Sequence, residues 1–260
     1  MANFFDLHSD VLTGAKNPLE ILDNLGNNVK VCAVIYNGDL SKTDFNNLLK
    51  TYNKTTNKNA YLCFENVGYN FLKIDDIIAL NPLYVQLTYN GENKYGYGCD
   101  FNKKLKPLGV NAVKKLSSNG IYVDVAHLSE KGALDVINYS DKVICSHALF
   151  KDVYNHKRNL SKSVIKGIIS KNGLIGACLV NYFISSESGD NNLTKFFKHI
   201  DYFLQNFGDD SLAIGTDFFG SDSFVNDIDG YNKISNLKNA FLNNGYSLKT
   251  VDKIFYKNAL

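Results

Sequence analysis

The sequence contains no tryptophan, and its 260 residues include only three prolines, Pro18, Pro82 and Pro107. Frequent Asn and Lys beside the missing Trp read as codon bias more than as a structural demand. With so few prolines and no low-complexity stretch, no domain linker stands out. No run approaches about 18 apolar residues, which excludes a membrane-spanning helix. No basic segment with an apolar stretch behind it opens the chain, so no signal peptide is expected. Net charge is only +2, and the charges are interspersed, so no nucleic-acid or anionic-membrane surface is expected. Cysteine is odd in number, with Cys32, Cys63, Cys99, Cys145 and Cys178 and no CxxC pair. Four of these fall within apolar runs and read as buried free thiols. Together these absences favour a cytoplasmic, reducing location.

What is present is ordinary for a soluble globular chain, at 45% hydrophobic and 21% charged residues. The length suits one large core, read here as a single barrel over residues 1–260. Eight short apolar runs read as buried strands: "NFFDLHSDV" (3–11), "VKVCAVIYN" (29–37), "NAYLCFENVG" (59–68), "PLYVQLTYN" (82–90), "GIYVDVAHLS" (120–129), "KVICSHALF" (142–150), "GLIGACLVNYF" (173–183) and "SLAIGTDFFG" (211–220). Helical patterns lie between most of them. One ends at Gly120, one opens at a Ser cap with Leu134 and Ile137 on one face, and one carries Phe196, Phe197, Ile200, Phe203, Leu204 and Phe207 up to Gly208. The segment after the first run offers only a short helix, and the tail reads as two helices. Alternation of near-continuous apolar strands with helices predicts a parallel sheet, and eight repeats predict closure into a (β/α)8 TIM barrel. A doubly wound open sheet is the other architecture this pattern allows.

Polar residues break these runs near their C-terminal ends. His8 and Asp10 stand two apart in the first run, which predicts one shared strand face. Glu65, His127, His147 and Asp217 occupy similar places in later runs, and Tyr89 and Asn90 end the fourth. In a barrel, all strand C-termini meet at one rim, where active sites lie. Three imidazoles and three carboxylates fit a borderline divalent metal such as zinc, and a buried set this large needs a partner. Six donors exceed what one tetrahedral catalytic zinc uses, so two metals sharing a carboxylate is the economical arrangement. Each residue alone has a plainer explanation: a satisfied core histidine, or a helix cap for Asp217. The argument rests on their joint placement. His199, on a helix face near Phe196 and Phe203, reads as structural. Arg158 lies beside His156 in the loop "NHKRNLS" (155–161). An isolated basic loop is usually solvated, but near a metal rim it can clamp a carboxylate.

The segments "DLHSD", "FENVG", "VDVAHLS", "ICSHALF", "HKRNLS" and "AIGTDFFG" occur in this order. Together they resemble the membrane (renal) dipeptidase family of metallopeptidases, its bacterial members included. The resemblance implies a metal-dependent hydrolase barrel with two zinc ions, other divalent metals being alternatives. It implies His8, Asp10 and Glu65 around the first ion, with Glu65 bridging to a second that His127 and His147 complete. It implies that Asp217 handles protons beside Glu65, and that Arg158, with Asn159 in the same "RN" pair, holds the C-terminal carboxylate of a dipeptide. Tyr89 stands where many relatives have a substrate-contacting His. The expected activity is zinc-dependent hydrolysis of small dipeptides by a water activated between two metals. The expected partner is the dipeptide alone, with no nucleic acid and no membrane, and a homodimer is left open. Asn66, Ala126, Phe219 and Lys162 depart from the family's usual residues, and the chain is short for the family. The alternative function is another metal-dependent amide or ester hydrolase, such as a lactonase, amidase or deaminase.

Overall fold

Strands buried on both faces need apolar residues at nearly every position, and the eight runs supply them. The computed structural model describes residues 3–69, 71–186 and 192–259. Strands β1 (Phe4–Ser9), β2 (Val29–Tyr36), β3 (Ala60–Glu65), β4 (Tyr84–Gln86), β5 (Tyr122–Asp124), β6 (Val143–Ala148), β7 (Ile175–Cys178) and β8 (Leu212–Gly215) pair in parallel, in chain order, and close β8 onto β1. This is the (β/α)8 barrel.

Helices α1 (Val11–Gly14) and α2 (Pro18–Asn24) follow β1. Helices α3 (Lys42–Lys54) and α4 (Ile74–Ala79) follow β2 and β3. Helices α5 (Pro107–Ser118), α6 (Glu130–Tyr139) and α7 (Lys162–Ser170) follow β4, β5 and β6. Helices α8 (Asn181–Ile184) and α9 (Asn192–Phe207) follow β7, and α10 (Ile234–Asn243) and α11 (Leu248–Phe255) follow β8. Serine hydroxyls start four of these by accepting an orphan backbone N–H: Ser41 from Asp44, Ser129 from Gly132, Ser161 from Val164 and Ser247 from Thr250. Pro107 opens α5, where its missing N–H costs nothing. Phe196, Phe197, Ile200 and Phe203 of α9 are buried as their spacing predicts. Helices α4 and α8 have no counterpart in the sequence reading, because four to six residues are too few to display a helical period.

A second core cluster is made of strand residues alone, with Phe5, Leu7, Cys32, Val34, Cys63, Tyr84, Ile144 and Ala213, and it fills the barrel. The larger cluster lies between strands and helices; there Phe255 of α11 meets Phe4 edge-on at 5.7 Å. Cys32, Cys63, Cys145 and Cys178 are free and buried, as expected, and Cys99 is half-buried. Among the described residues, no helix is long and apolar enough to cross a membrane. The barrel wall is tightest around Ser146. A Cβ on Gly176 or Gly215 would stand 1.9 or 1.8 Å from the Ser146 carbonyl oxygen.

Every strand is shorter than its run, and two of these differences bear on the site. The run 120–129 yields only Tyr122–Asp124, since His127 takes a left-handed backbone (φ 64°) that no strand accommodates. In β1, the pairing with β2 shifts register between Asp6 and Ser9, and the strand ends at Ser9. Asp10 lies outside it, at the cap of α1. The simple two-residue alternation therefore does not relate His8 to Asp10, because an irregularity resets which face a side chain takes. The two side chains nonetheless meet.

Candidate metal centre and substrate cavity

The ends of six strands supply the site, all at the C-terminal rim. His8 comes from β1 and Asp10 from the residue just past it; Glu65 ends β3 and His147 lies in β6. Tyr89 and Asn90 follow β4, His127 follows β5, and Asp217 follows β8. Asn66, His127, Asp217 and Phe219 all have positive φ without being glycine. Such backbones carry strain and cluster where a side chain must be aimed.

His8, Asp10, Glu65, His127 and His147 are all buried, and Asp217 is nearly so. His8 Nε2 stands 3.3 Å from Glu65 Oε2, 3.4 Å from Asp10 Oδ2 and 3.8 Å from Asp217 Oδ1. The other Glu65 oxygen, Oε1, is 3.3 Å from His127 Nε2 and accepts from the Gln86 amide at 3.0 Å. Glu65 thus spans the two halves of the cluster with one oxygen each. His127 Nε2 and His147 Nε2 face each other at 2.9 Å. Among the described residues three overlapping groups present ligand atoms within 4.8 Å of one another: His8–Asp10–Glu65, Glu65–His127–His147 and His8–His147–Asp217.

Hydrogen bonding behind the rings turns Nε2 inward. His127 Nδ1 faces the Asn90 amide oxygen at 2.7 Å, an acceptor, so Nδ1 carries the hydrogen and Nε2 the lone pair. His8 Nε2 and Asp10 Oδ1 are buried without a hydrogen-bond partner. Burial works against a charge on His8, yet the adjoining Asp10 and Glu65 carboxylates drive its pKa well above the ordinary value. Burial holds His127 and His147 well below it, helped by Arg158 and His8. Burial also pushes the Asp217 carboxyl up to about 8, opposed by His8 and reinforced by Asp10 and Glu65. Three carboxylates crowd one imidazole nitrogen while two neutral imidazoles offer lone pairs. A cation would complement such a set, and mixed imidazole and carboxylate donors suit a borderline divalent metal.

A cavity of about 700 Å³ opens over this cluster. Asp10, Glu65, Tyr89, His127, Arg158 and Asp217 share its wall. Arg158 is only 4% exposed; one guanidinium nitrogen donates weakly to the His147 carbonyl at 3.4 Å, while Nε has no acceptor among the described residues. Phe183 lies under the guanidinium, 5.1 Å away. The Tyr89 ring stacks on His127 at 4.3 Å and meets Tyr36 edge-on at 5.2 Å. Burial, with Glu65 adding to it, pushes the Tyr89 phenol up to about 12, so it remains a donor.

Asn159 does not line this cavity. Its amide nitrogen donates to the Tyr154 and Phe183 carbonyls and so ties two loops together. His156 does line it, with Nδ1 accepting from the Arg158 N–H at 3.3 Å. His199 is structural, as its helical position suggests: Nδ1 accepts from Phe150 N–H and Nε2 donates to the Ile184 carbonyl. Sequence reasoning missed Tyr84, Gln86, Asp124 and Ser146, all fully buried around the cluster. The available signal was a polar residue inside an apolar run: Gln86 in "YVQL", Asp124 in "YVDV", and Ser146 directly before His147.

The barrel and the cluster at its rim define a metal-dependent hydrolase type of (β/α)8 protein. Residues 60–260 match the membrane dipeptidase family (peptidase family M19), and the chain belongs to that family. It is 25% identical over 186 residues to an uncharacterized protein in the pqqA 5' region of Klebsiella pneumoniae, covering 66% of this chain and 68% of that one. It is 27% identical over 157 residues to the dipeptidase tcpJ of Claviceps purpurea (strain 20.1), covering 60% of this chain but only 37% of the fungal one. The fold matches a Rhodobacter sphaeroides metallo peptidase, solved with a phosphinate mimic of the dipeptide L-Ala-D-Ala, at a TM-score of 0.81. That match covers 99% of this chain and 97% of the other at 17% identity.

Proposed function

We propose that this chain is a zinc-dependent dipeptidase with a two-metal centre. The observation that carries the reading is Glu65, which reaches His8 with one oxygen and His127 with the other, at 3.3 Å each. His8, Asp10 and Glu65 would hold one ion, and Glu65, His127 and His147 the second. Bound there, zinc polarises a carbonyl and lowers the pKa of water.

The remaining steps belong to the chain's own side chains. Asp217 accepts the proton of the attacking water and returns it to the leaving amine, acting as base and then acid. The Tyr89 phenol donates to the oxygen on which negative charge develops. Arg158 offers a buried guanidinium with a free Nε to the substrate's terminal carboxylate, and that contact sets which peptide carbonyl lies over Glu65. A longer peptide places its terminal carboxylate too far from its first bond, so dipeptides are favoured. The Rhodobacter sphaeroides protein of the same fold took a dipeptide mimic, which is in keeping with this substrate class.

The test is amino-acid release from a panel of L-L and L-D dipeptides, with zinc-loaded and chelated protein side by side. Release that requires zinc is the expected result. A chain that holds two zinc ions and releases nothing from any dipeptide would move the assignment to another hydrolase of this barrel, such as an amidase or lactonase.

A further inference from the structure

Asp124 and Ser146 are fully buried and stand outside the cavity wall, behind the ring nitrogens that face the cluster. Asp124 Oδ1 accepts from the Ala126 and Ser146 backbone N–H groups at 3.0 and 2.9 Å. Its Oδ2 accepts from the Ser146 hydroxyl at 2.5 Å. The only proton on that hydroxyl is thereby committed, and the Ser146 oxygen is left as an acceptor. Two imidazoles present Nδ1 to it, His147 at 2.8 Å and His8 at 3.1 Å. A ring nitrogen facing such an oxygen must carry the hydrogen. Both Nδ1 atoms are then N–H groups; His8 Nε2 turns to the Asp10 and Glu65 carboxylates, and His147 Nε2 turns to His127 Nε2 at 2.9 Å, two lone pairs that a shared cation reconciles. The competing arrangement, with His147 Nδ1 accepting from Ser146, would strip a buried Asp124 oxygen of its donor.

We infer that Asp124 and Ser146 form a positioning pair that fixes ring orientation and tautomer in His8 and His147 together, and so links the two halves of the centre. The inference rests on the two-metal reading of the cluster. The two histidines depend on the pair unequally. His8 Nδ1 has a second acceptor, the Tyr84 hydroxyl at 2.9 Å, whose proton goes to the Leu7 carbonyl at 3.0 Å. For His147 Nδ1 the hydrogen bond to Ser146 is the anchor. The half of the centre built on His127 and His147 should therefore suffer first.

Two variants and two readouts test this. Ser146→Ala removes the acceptor. Asp124→Asn keeps an amide oxygen for the two backbone donors but turns an NH2 group towards Ser146, which frees the serine proton to donate to His147. Zinc affinity is measured for each equivalent by competition with a chelator, and the protonated ring nitrogen of His147 is read by 15N NMR in the metal-free protein. In the unaltered chain His147 should carry its hydrogen on Nδ1. Ser146→Ala should weaken one zinc equivalent by about tenfold to a hundredfold and the other much less. Asp124→Asn should do the same and move the His147 hydrogen to Nε2, a shift that loss of packing alone would not produce. Equal affinities in all three proteins, or His147 protonated on Nε2 in the unaltered chain, would overturn the inference. An unaltered chain that takes up no zinc yet keeps His147 protonated on Nδ1 would refute the two-metal reading and leave the tautomer assignment standing.

Discussion

The Asp217 N–H donates to the His8 carbonyl at 3.0 Å, so the last strand of the barrel delivers its acid directly onto the first. Asp10 N–H returns the contact by donating to the Phe218 carbonyl at 2.9 Å. The acid assigned to proton transfer is therefore placed by backbone hydrogen bonds, with its φ of 63° enforced by the same seam.

Replacing Asp217 by Asn should keep this backbone arrangement and remove the proton carrier. Dipeptide turnover should fall about 100- to 10,000-fold while both zinc equivalents stay bound. Steady-state kinetics with metal analysis on the same sample checks it; unchanged kcat would remove Asp217 from the mechanism.

Arg158→Ala should lower kcat/KM for dipeptides by about 100-fold or more, with much less effect on an uncharged amide or ester. Arg158→Lys should rescue little, because a compact ammonium cannot match a carboxylate with two parallel donors. Equal losses on charged and uncharged substrates would argue against the clamp.

Gly215→Ala pushes a methyl group to 1.8 Å from the Ser146 carbonyl oxygen, where only backbone can give way. A stability loss of about 3 kcal/mol or more is expected, measured by urea unfolding. A near-neutral substitution would mean that the strands are not held this closely.

His199 gives stability a pH dependence remote from the metal cluster. Burial pushes its pKa down to about 4, partly offset by its hydrogen bond to Ile184. The unfolded chain takes up a proton near the ordinary 6.5 and the folded chain does not. Stability from this residue is therefore full above pH 6.5 and is lost as pH falls towards 4, by about 3 kcal/mol at most. His199→Gln should flatten that part of the curve, which denaturation at several pH values between 4 and 7 would reveal.

The barrel was legible because each strand is written as a continuous apolar run, and because Gly120 and Gly208 mark helix ends that both have positive φ. The cluster was legible because imidazoles and carboxylates interrupt those runs near their ends. What hid was whatever depends on contacts across strands. Tyr84 reads as one more aromatic in a strand, yet its hydroxyl meets His8 from 76 residues away. Ser146 reads as a small residue, and only the neighbouring carboxylate of Asp124 gives its oxygen a direction. The register shift after Asp6 leaves no mark in the sequence, so Asp10 was expected inside β1 when it lies beyond it. Asn159 shares a motif with Arg158 but faces loop carbonyls instead of the cavity, and neighbours in sequence need not face the same space.

The seam between β1 and β8 also decides when the site can exist. His8 and Asp10 precede Asp217 by about two hundred residues in the chain, a separation that makes this contact costly in entropy and slow to close. A partly folded chain has one side of the cluster without the other. Cation uptake, followed in time during refolding, would therefore report the moment at which the ring of strands becomes complete.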